Sequence, residues 1–125
     1  TITGGSVVSG CTAEQAGGGV HAADSKLTIS GSSKVTNNVA TEAYGGGLYL
    51  FDSDVLIMDS WVTGNTALYE GGGIFPAQTG SLTLLGTTLK NNFITYPVLT
   101  LSDLAGTGPT CGSSCGAGTY GNCTR

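Results

Sequence analysis

Residues 45–67 read GGGLYLFDSDVLIMDSWVTGNTA, and this stretch decides the fold. A glycine triplet comes first, and two short runs with apolar residues at alternate positions follow it. An aliphatic residue with Asn three positions later ends the unit. Similar units begin at residues 17 and 71, and the asparagines that end the three units recur every 27 residues. A self-similar period of this length is typical of a solenoid, in which each repeat forms one turn.

This repeat predicts an all-β, right-handed parallel β-helix of about four turns with about 27 residues per turn. Alternate apolar residues direct one row of side chains into the turn. Because one turn cannot bury that row, turns must stack at about 4.8 Å to form a core and pair their backbone groups. An apolar spacing of two residues, together with the glycine triplets, argues against helix. The predicted turns are residues 1–16, 17–44, 45–70 and 71–104.

The glycines and asparagines of the repeat suggest how its bends are built. Glycine suits bends where φ is positive or where backbones approach closely. Asn tolerates the left-handed conformation, and identical amides stacked turn upon turn can hydrogen-bond in a ladder. The predicted ladder consists of Asn38, Asn65 and Asn92. Residues 8–13 match residues 62–67, which places Cys11 at the start of this ladder.

Composition excludes several classes of partner. Charged residues make up 10% of the chain, the net charge is −4, and the basic residues number four. No basic patch for nucleic acid or for an anionic membrane surface can be assembled from so few cations. The longest apolar runs are a few residues, so no membrane insertion is expected. Small uncharged polar residues dominate, which favours an extracellular or cell-surface location. The chain starts within a patterned segment and is interpreted as a mature or excised piece of a longer protein.

The cysteines concentrate at the end of the chain, in residues 105–125, which we interpret as a disulfide-rich tail. They are Cys11, Cys111, Cys115 and Cys123. Zinc is a weaker interpretation, because CxxC-type pairs are absent and the single histidine, His21, is distant in sequence. A disulfide-linked C-terminal cap formed in an oxidising compartment fits the pattern better, and three pairings are open.

The repeat resembles the polymorphic outer membrane protein repeats of bacterial surface adhesins, which pair a Gly-Gly-Ala-Ile-like motif with Phe-x-x-Asn. The first motif is matched by Gly18-Gly19-Val20, Gly46-Gly47-Leu48 and Gly72-Gly73-Ile74. The second is matched, with Val or Leu for Phe, from Val35 to Asn38, Val62 to Asn65 and Leu89 to Asn92. The match covers about residues 1–95. The tail looks like Cys-Gly-Thr-Tyr caps of extracellular proteins in algae and other protists. The resemblance implies a right-handed β-helix on a cell surface or in secreted material, without catalytic residues.

Three sets of residues are candidates for chemistry. The acidic residues closest in sequence are Asp52, Asp54 and Asp59. They lack the Asp-x-Asp-x-Asn-Gly pattern of a calcium loop and are interpreted as solvated turn carboxylates. Lys26 and Asp24 lack the second basic residue that a polysaccharide lyase would need, and His21 has no nucleophile implied nearby. We therefore predict no enzyme activity, no metal and no cofactor.

Two residues are candidates for surface roles. Trp61 precedes the inward-facing Val62 and should point outward, where it would bind a sugar or a neighbouring subunit, or lie under a loop. Asn122 begins the sequon Asn122-Cys123-Thr124 and is a predicted glycosylation site.

The ends of the chain suggest a role. Residues 1–3 enter a turn without a cap, and the three tail cysteines leave one odd thiol. We expect a non-enzymatic structural subunit of an extracellular filament, in which the tail of one copy caps the first turn of the next by a disulfide to Cys11. The alternative is an adhesin or carbohydrate-binding domain of a larger surface protein. Ice binding is less favoured, because outward positions Thr28, Leu56 and Thr83 form no regular threonine face.

Overall fold

The computed structural model describes residues 1–78, 80–105, 110–111 and 119–124, the last two stretches by their backbone alone. The described residues form an all-β, parallel solenoid, which confirms the predicted fold class. In chain order the described strands are β1 (Val7–Ser9), β2 (Thr12–Ala13), β3 (Val20–Ala23), β4 (Lys26–Ile29), β5 (Lys34–Thr36), β6 (Val39–Ala40), β7 (Leu48–Phe51), β8 (Asp54–Met58), β9 (Trp61–Thr63), β10 (Thr66–Ala67), β11 (Ile74–Pro76), β12 (Leu82–Lys90), β13 (Phe93–Ile94), β14 (Thr100–Leu101), β15 (Thr110–Cys111) and β16 (Thr119–Thr124).

The strands stack into three sheets that form the sides of each turn. The first sheet has the order β1-β5-β9-β12-β16-β15, with β4 and β8 stacked beneath the start of β12. The second sheet is β14-β13-β10-β6-β2, and the third is β11-β7-β3. All pairings between solenoid turns are parallel, whereas β14, β15 and β16 pair antiparallel. Parallel stacking of equivalent strands is the arrangement that the 27-residue period predicts.

The core is a set of aliphatic columns that run along the solenoid axis. Val8, Val35, Val62 and Leu89 are in register on the first sheet, and Val20, Leu48 and Ile74 are in register on the third. Within these columns the middle members are fully buried. Burial of an aliphatic side chain contributes about 1.5–3 kcal/mol relative to exposure, so these columns supply the main stabilisation of the stack.

The structure has about three turns rather than the predicted four. The first and second sheets each contain four solenoid layers, but the third contains three strands. No fourth glycine triplet follows β13, and the chain instead reverses into β14 antiparallel to it. The predicted four turns include the partial copies at residues 1–16 and 71–104, which do not complete all three sheets. The predicted Cys-rich cap and domain boundary at residue 105 stay predictions, because most of residues 106–125 lie outside the described residues.

Each glycine of a triplet has a different reason to be there. Gly45 has a φ of +67°, a conformation that L-side chains rarely adopt. A Cβ on Gly46 would overlap the carbonyl oxygens of Thr66 and Gly72. A Cβ on Gly47 would lie 2.5 Å from the Gly73 carbonyl oxygen and 2.9 Å from Asn65 Nδ2, so the third glycine leaves space for the neighbouring backbone and for the ladder asparagine. The glycine triplet and the asparagine are therefore two halves of one packing arrangement.

Candidate functional site

The conspicuous polar feature of the interior is a ladder of asparagine side chains. Asn38 Nδ2 donates to Asn65 Oδ1 at 3.0 Å, and Asn65 Nδ2 donates to Asn92 Oδ1 at 2.9 Å. The backbone amides of Asn38 and Asn65 donate to the same two oxygens at 3.0 Å. Each Nδ2 also donates to a valine carbonyl, those of Val8, Val35 and Val62. The three asparagines are fully buried, so the ladder holds one corner of the solenoid and offers no group to a ligand.

The two ends of the ladder are closed differently. At one end the backbone amide of Cys11 donates to Asn38 Oδ1 at 3.0 Å, so Cys11 occupies the position of the preceding asparagine. At the other end Asp103 Oδ1 accepts from the backbone amide and from Nδ2 of Asn92, at 3.0 and 2.8 Å. Sequence reasoning missed Asp103 because it lies 11 residues after Asn92, outside the period. Nothing in the repeat pattern could have identified it.

Trp61 lies on the outer side of β9, next to the fully buried Val62. Its ring is partly exposed, and Lys34 Nζ lies 5.6 Å from the ring centroid. This is a cation–π arrangement across adjacent strands of the first sheet. The lysine therefore occupies part of the surface through which Trp61 would contact a ligand.

A larger aromatic surface lies elsewhere on the solenoid. Six rings form one unbroken chain of neighbours, with centroid distances between 4.6 and 5.7 Å. We call this set the aromatic strip, and its rings in order of contact are His21, Tyr49, Phe75, Tyr44, Tyr69 and Tyr96. Contacts between rings at these distances are attractive, so the strip is ordered by its own members as well as by the backbone.

The stacking of the repeats brings the rings of the strip together, but the spacing of these residues in the sequence does not reveal it. His21, Tyr49 and Phe75 are cross-strand neighbours on the outer side of the third sheet. The three other tyrosines of the strip lie in the segments that leave the second sheet, where the turns differ in length. The repeat therefore brings them together without a constant spacing. An aromatic residue shortly before a glycine triplet, as at Tyr44 and Tyr69, is the signal that could have found the strip.

The strip is open to solvent and bordered by acidic residues. Tyr44, Tyr69 and Tyr96 are 36%, 39% and 59% exposed. The bend between the second and third sheets also carries exposed glutamates, which we call the acidic rim: Glu14, Glu42 and Glu70. The described part of the chain contains no salt bridge that would neutralise them. Beyond Tyr96 the surface continues into the exposed apolar residues Val98, Leu99 and Leu101.

The aspartates considered as calcium ligands have structural positions. Asp52 and Asp59 occupy left-handed corners, with φ of 43° and 44°. Asp54 Oδ1 accepts from Ser81 Oγ at 2.6 Å and from the Ser81 backbone amide at 3.3 Å. These hydrogen bonds lower the pKa of the exposed Asp54 carboxyl below its ordinary value. No group of three or more His, Cys, Asp or Glu side chains suited to a metal occurs among the described residues.

The tail residues are described in part. Cys111 and Cys123 lie opposite each other in the β15–β16 pairing, and Asn122 lies opposite Leu85 in the β12–β16 pairing. Cys115 lies outside the described residues. Cys11 is exposed, forms no disulfide, and directs its thiol to the Ser9 carbonyl oxygen at 3.6 Å. Disulfides in the tail and glycosylation at Asn122 stay predictions.

No family model, no curated protein and no solved structure matches this chain. Within the part of the chain that the structure describes, no helix has the length and apolar character to cross a membrane.

Proposed function

We propose that this chain is a non-enzymatic β-helix of the extracellular space or cell surface that binds carbohydrate through the aromatic strip. The observation that carries the proposal is the unbroken row of six rings with three exposed tyrosines, described above. An exposed aromatic surface of this extent is unusual on a chain whose outer positions are otherwise small and polar.

The chemistry of the strip suits a sugar chain. A pyranose ring has an apolar face of C–H groups that stacks on an aromatic ring, and its hydroxyls bond to tyrosine hydroxyls and glutamate carboxylates. The centroids of neighbouring rings lie 4.6 to 5.7 Å apart, so a glycan that lies over the strip contacts more than one ring. Because the rings already contact one another, little side-chain freedom is lost when a ligand binds.

The resemblance of the repeats to those of bacterial surface adhesins supports an extracellular adhesive role. It rests on the glycine triplets and the ladder asparagines, which are structural residues. The composition, poor in charge and rich in Ser, Thr and Gly, points to the same location.

Glycan binding can be tested by screening the full chain on a glycan array and measuring affinities of the hits by calorimetry. We expect Tyr44→Ala and Tyr69→Ala each to weaken binding by up to about tenfold, the equivalent of one ring contact. Trp61→Ala is the matched aromatic control off the strip, and Leu99→Ser controls for non-specific apolar adhesion. No binding to any glycan, or loss with Leu99→Ser alone, would contradict the proposal.

End-to-end assembly is a second proposal, supported by the exposed thiol of Cys11 beside β2, the outermost described strand of the second sheet. β16 pairs with β12 of its own chain. The end-to-end contact would therefore have to form without removing β16 from that pairing. Electron microscopy with and without reductant tests it. Filaments that shorten on reduction and in Cys11→Ser are expected, and single particles in every condition would reject it.

A further inference from the structure

We infer that the aromatic strip selects glycans that carry free amino groups, that is, polymers of unacetylated amino sugars. This rests on the carbohydrate binding proposed above and adds the chemical class of the ligand. It follows from the way in which charge is distributed around the strip.

Two glutamates of the acidic rim lie beside tyrosines of the strip, while the lysines lie elsewhere. Glu70 directly follows Tyr69, and Glu42 precedes Tyr44 by two residues. Lys26, Lys34 and Lys90, by contrast, all belong to strands of the first sheet. The surface around the exposed tyrosines is therefore negative, and complementary to a cationic ligand.

Backbone hydrogen bonds place the glutamates of the acidic rim on neighbouring turns of the solenoid. The amide of Glu42 donates to the carbonyl of Glu14 at 2.8 Å, so these two residues sit on adjacent turns. The carbonyl of Glu70 accepts from the amide of Gly45 at 3.1 Å, which fixes Glu70 beside the turn that carries Tyr44. A glycan with an amine on each sugar that lies along this bend would therefore meet carboxylates from neighbouring turns.

Two interactions then favour the ammonium form of the ligand. An ammonium group is attracted to the face of a tyrosine ring, and a carboxylate accepts charge-assisted hydrogen bonds from it. An N-acetylated sugar would still stack on the rings. It would lose the cation–π attraction and the charge-assisted hydrogen bond, because its nitrogen carries no charge. A uronic acid polymer would in addition be repelled by the rim and by the net charge of −4.

The test compares two oligomers of β-linked glucosamine that differ in N-acetylation, at a pH below the pKa of the amine. Affinities are measured by calorimetry for wild type, Glu42→Gln, Glu70→Gln and the control Asp59→Asn. Asp59 is exposed at the corner between β8 and β9, and Asn tolerates its positive φ. We expect the amine-bearing oligomer to bind wild type about tenfold more tightly than its acetylated counterpart, and salt to reduce that difference.

The variants separate this inference from the proposed function. We expect Glu42→Gln and Glu70→Gln each to reduce the preference for the amine by about threefold or more, with Asp59→Asn unchanged. Equal, tyrosine-dependent binding of both oligomers would overturn the inference and leave carbohydrate binding intact. An effect of Asp59→Asn equal to that of the rim variants, or equally tight binding of an oligolysine peptide, would also overturn it by reducing the preference to net charge. Binding of neither oligomer would reject the inference, and a failure across all glycans would reject the proposed function as well.

Discussion

Asn65 illustrates how a single residue ties three turns together. Its side chain accepts two hydrogen bonds from Asn38 and donates to Asn92 and to the Val35 carbonyl, and its buried polar atoms all have partners. The space for this side chain exists because Gly47 has no Cβ. A buried amide is stabilising only when every donor and acceptor is satisfied, and the ladder meets that condition.

Replacing Asn65 by Ala should therefore destabilise the protein strongly. The backbone amide of Asn38 and the Val35 carbonyl would lose their partners in the interior, at a cost of about 3 kcal/mol in the free energy of unfolding. Urea denaturation measures the change. The control is Asn91→Gly, at an exposed position with φ of 55° whose counterparts Gly10 and Gly64 are already glycine, and it should change stability little. Equal effects of the two variants would contradict the structural role of the ladder.

Asp103 is predicted to matter as an acceptor at the end of the ladder. Asp103→Ala should lower the free energy of unfolding by about 1–2 kcal/mol, because the backbone amide of Asn92 loses its partner and Nδ2 loses one of its acceptors. Asp103→Asn keeps an oxygen at the same place and should stay within about 0.5 kcal/mol of wild type. Urea denaturation measures the free energy of unfolding of both variants. An equal loss in Asp103→Asn and Asp103→Ala would contradict the prediction.

At the scale of elements, the glycine triplets determine how the second sheet meets the third. The middle glycine of each triplet lies where the backbones of neighbouring turns come closest, and the first takes a positive φ. The strands themselves are short, two to five residues apart from β12 and β16. Their stability comes from stacking rather than from length, so the bends control the fold as much as the strands do.

Gly46→Ala should therefore be among the most damaging substitutions in the chain. The new Cβ would overlap backbone atoms of Thr66 and Gly72, which cannot move aside, and we expect a loss of at least about 3 kcal/mol. Gly10→Ala is the control. Gly10 has a positive φ, which Gly46 does not, but a Cβ there meets no atom within 4 Å, so the cost should be about 1 kcal/mol. The melting temperatures of both variants are measured by thermal denaturation. Similar values would refute the explanation that Gly46 is required by the close approach of neighbouring backbones.

The pairing of β8 with the segment before β12 should show in acid titration. Because Ser81 lowers the pKa of Asp54, the interaction stabilises the fold above the ordinary pKa of a carboxyl and is lost as the pH falls through the lowered pKa. Ser81→Ala should raise the pKa of Asp54 towards its ordinary value, as followed by NMR. Ser30→Ala, whose hydroxyl contacts Thr3, should leave it unchanged. An unchanged Asp54 titration in Ser81→Ala would count against the hydrogen bond.

At the scale of the whole molecule, different sides of the solenoid carry different kinds of residue. The interior holds aliphatic columns and one amide ladder, and the first sheet carries the lysines. The third sheet and the bend before it carry the aromatic strip with its acidic rim. A chain with so few charges achieves a polar surface with small side chains, so the strip and the rim stand out from it. Carbohydrate binding is proposed for that surface on this basis.

Stability along the solenoid should be graded from the middle outward. β8 is paired on both sides, by β4 and β12, and Ile57 within it is fully buried. β14 is exposed and pairs on one side with the two-residue β13. Hydrogen exchange should be slower by orders of magnitude for amides of β8 than for those of β14. Uniform protection across both strands would indicate one cooperative unit and contradict the gradient.

Much of the fold was predictable from the sequence because its determinants repeat. Glycine triplets, alternating aliphatic residues and ladder asparagines such as Asn65 act on neighbouring turns in the same way, so a period of 27 residues was enough to predict the all-β solenoid. The inward row of side chains and the outward direction of Trp61 follow from the same alternation. Where the period breaks, as after Asn92, prediction from the pattern stopped working.

The sequence by itself determined the class of the fold, the stacking period and the position of the ladder, because each depends on local residues that recur at fixed spacing. Only the tertiary structure decided that there are about three turns, that Asp103 closes the ladder, and that six aromatic rings meet in one strip. These features join residues from segments of unequal length in different turns. Their proximity is set by how the whole chain stacks, and no local pattern encodes it.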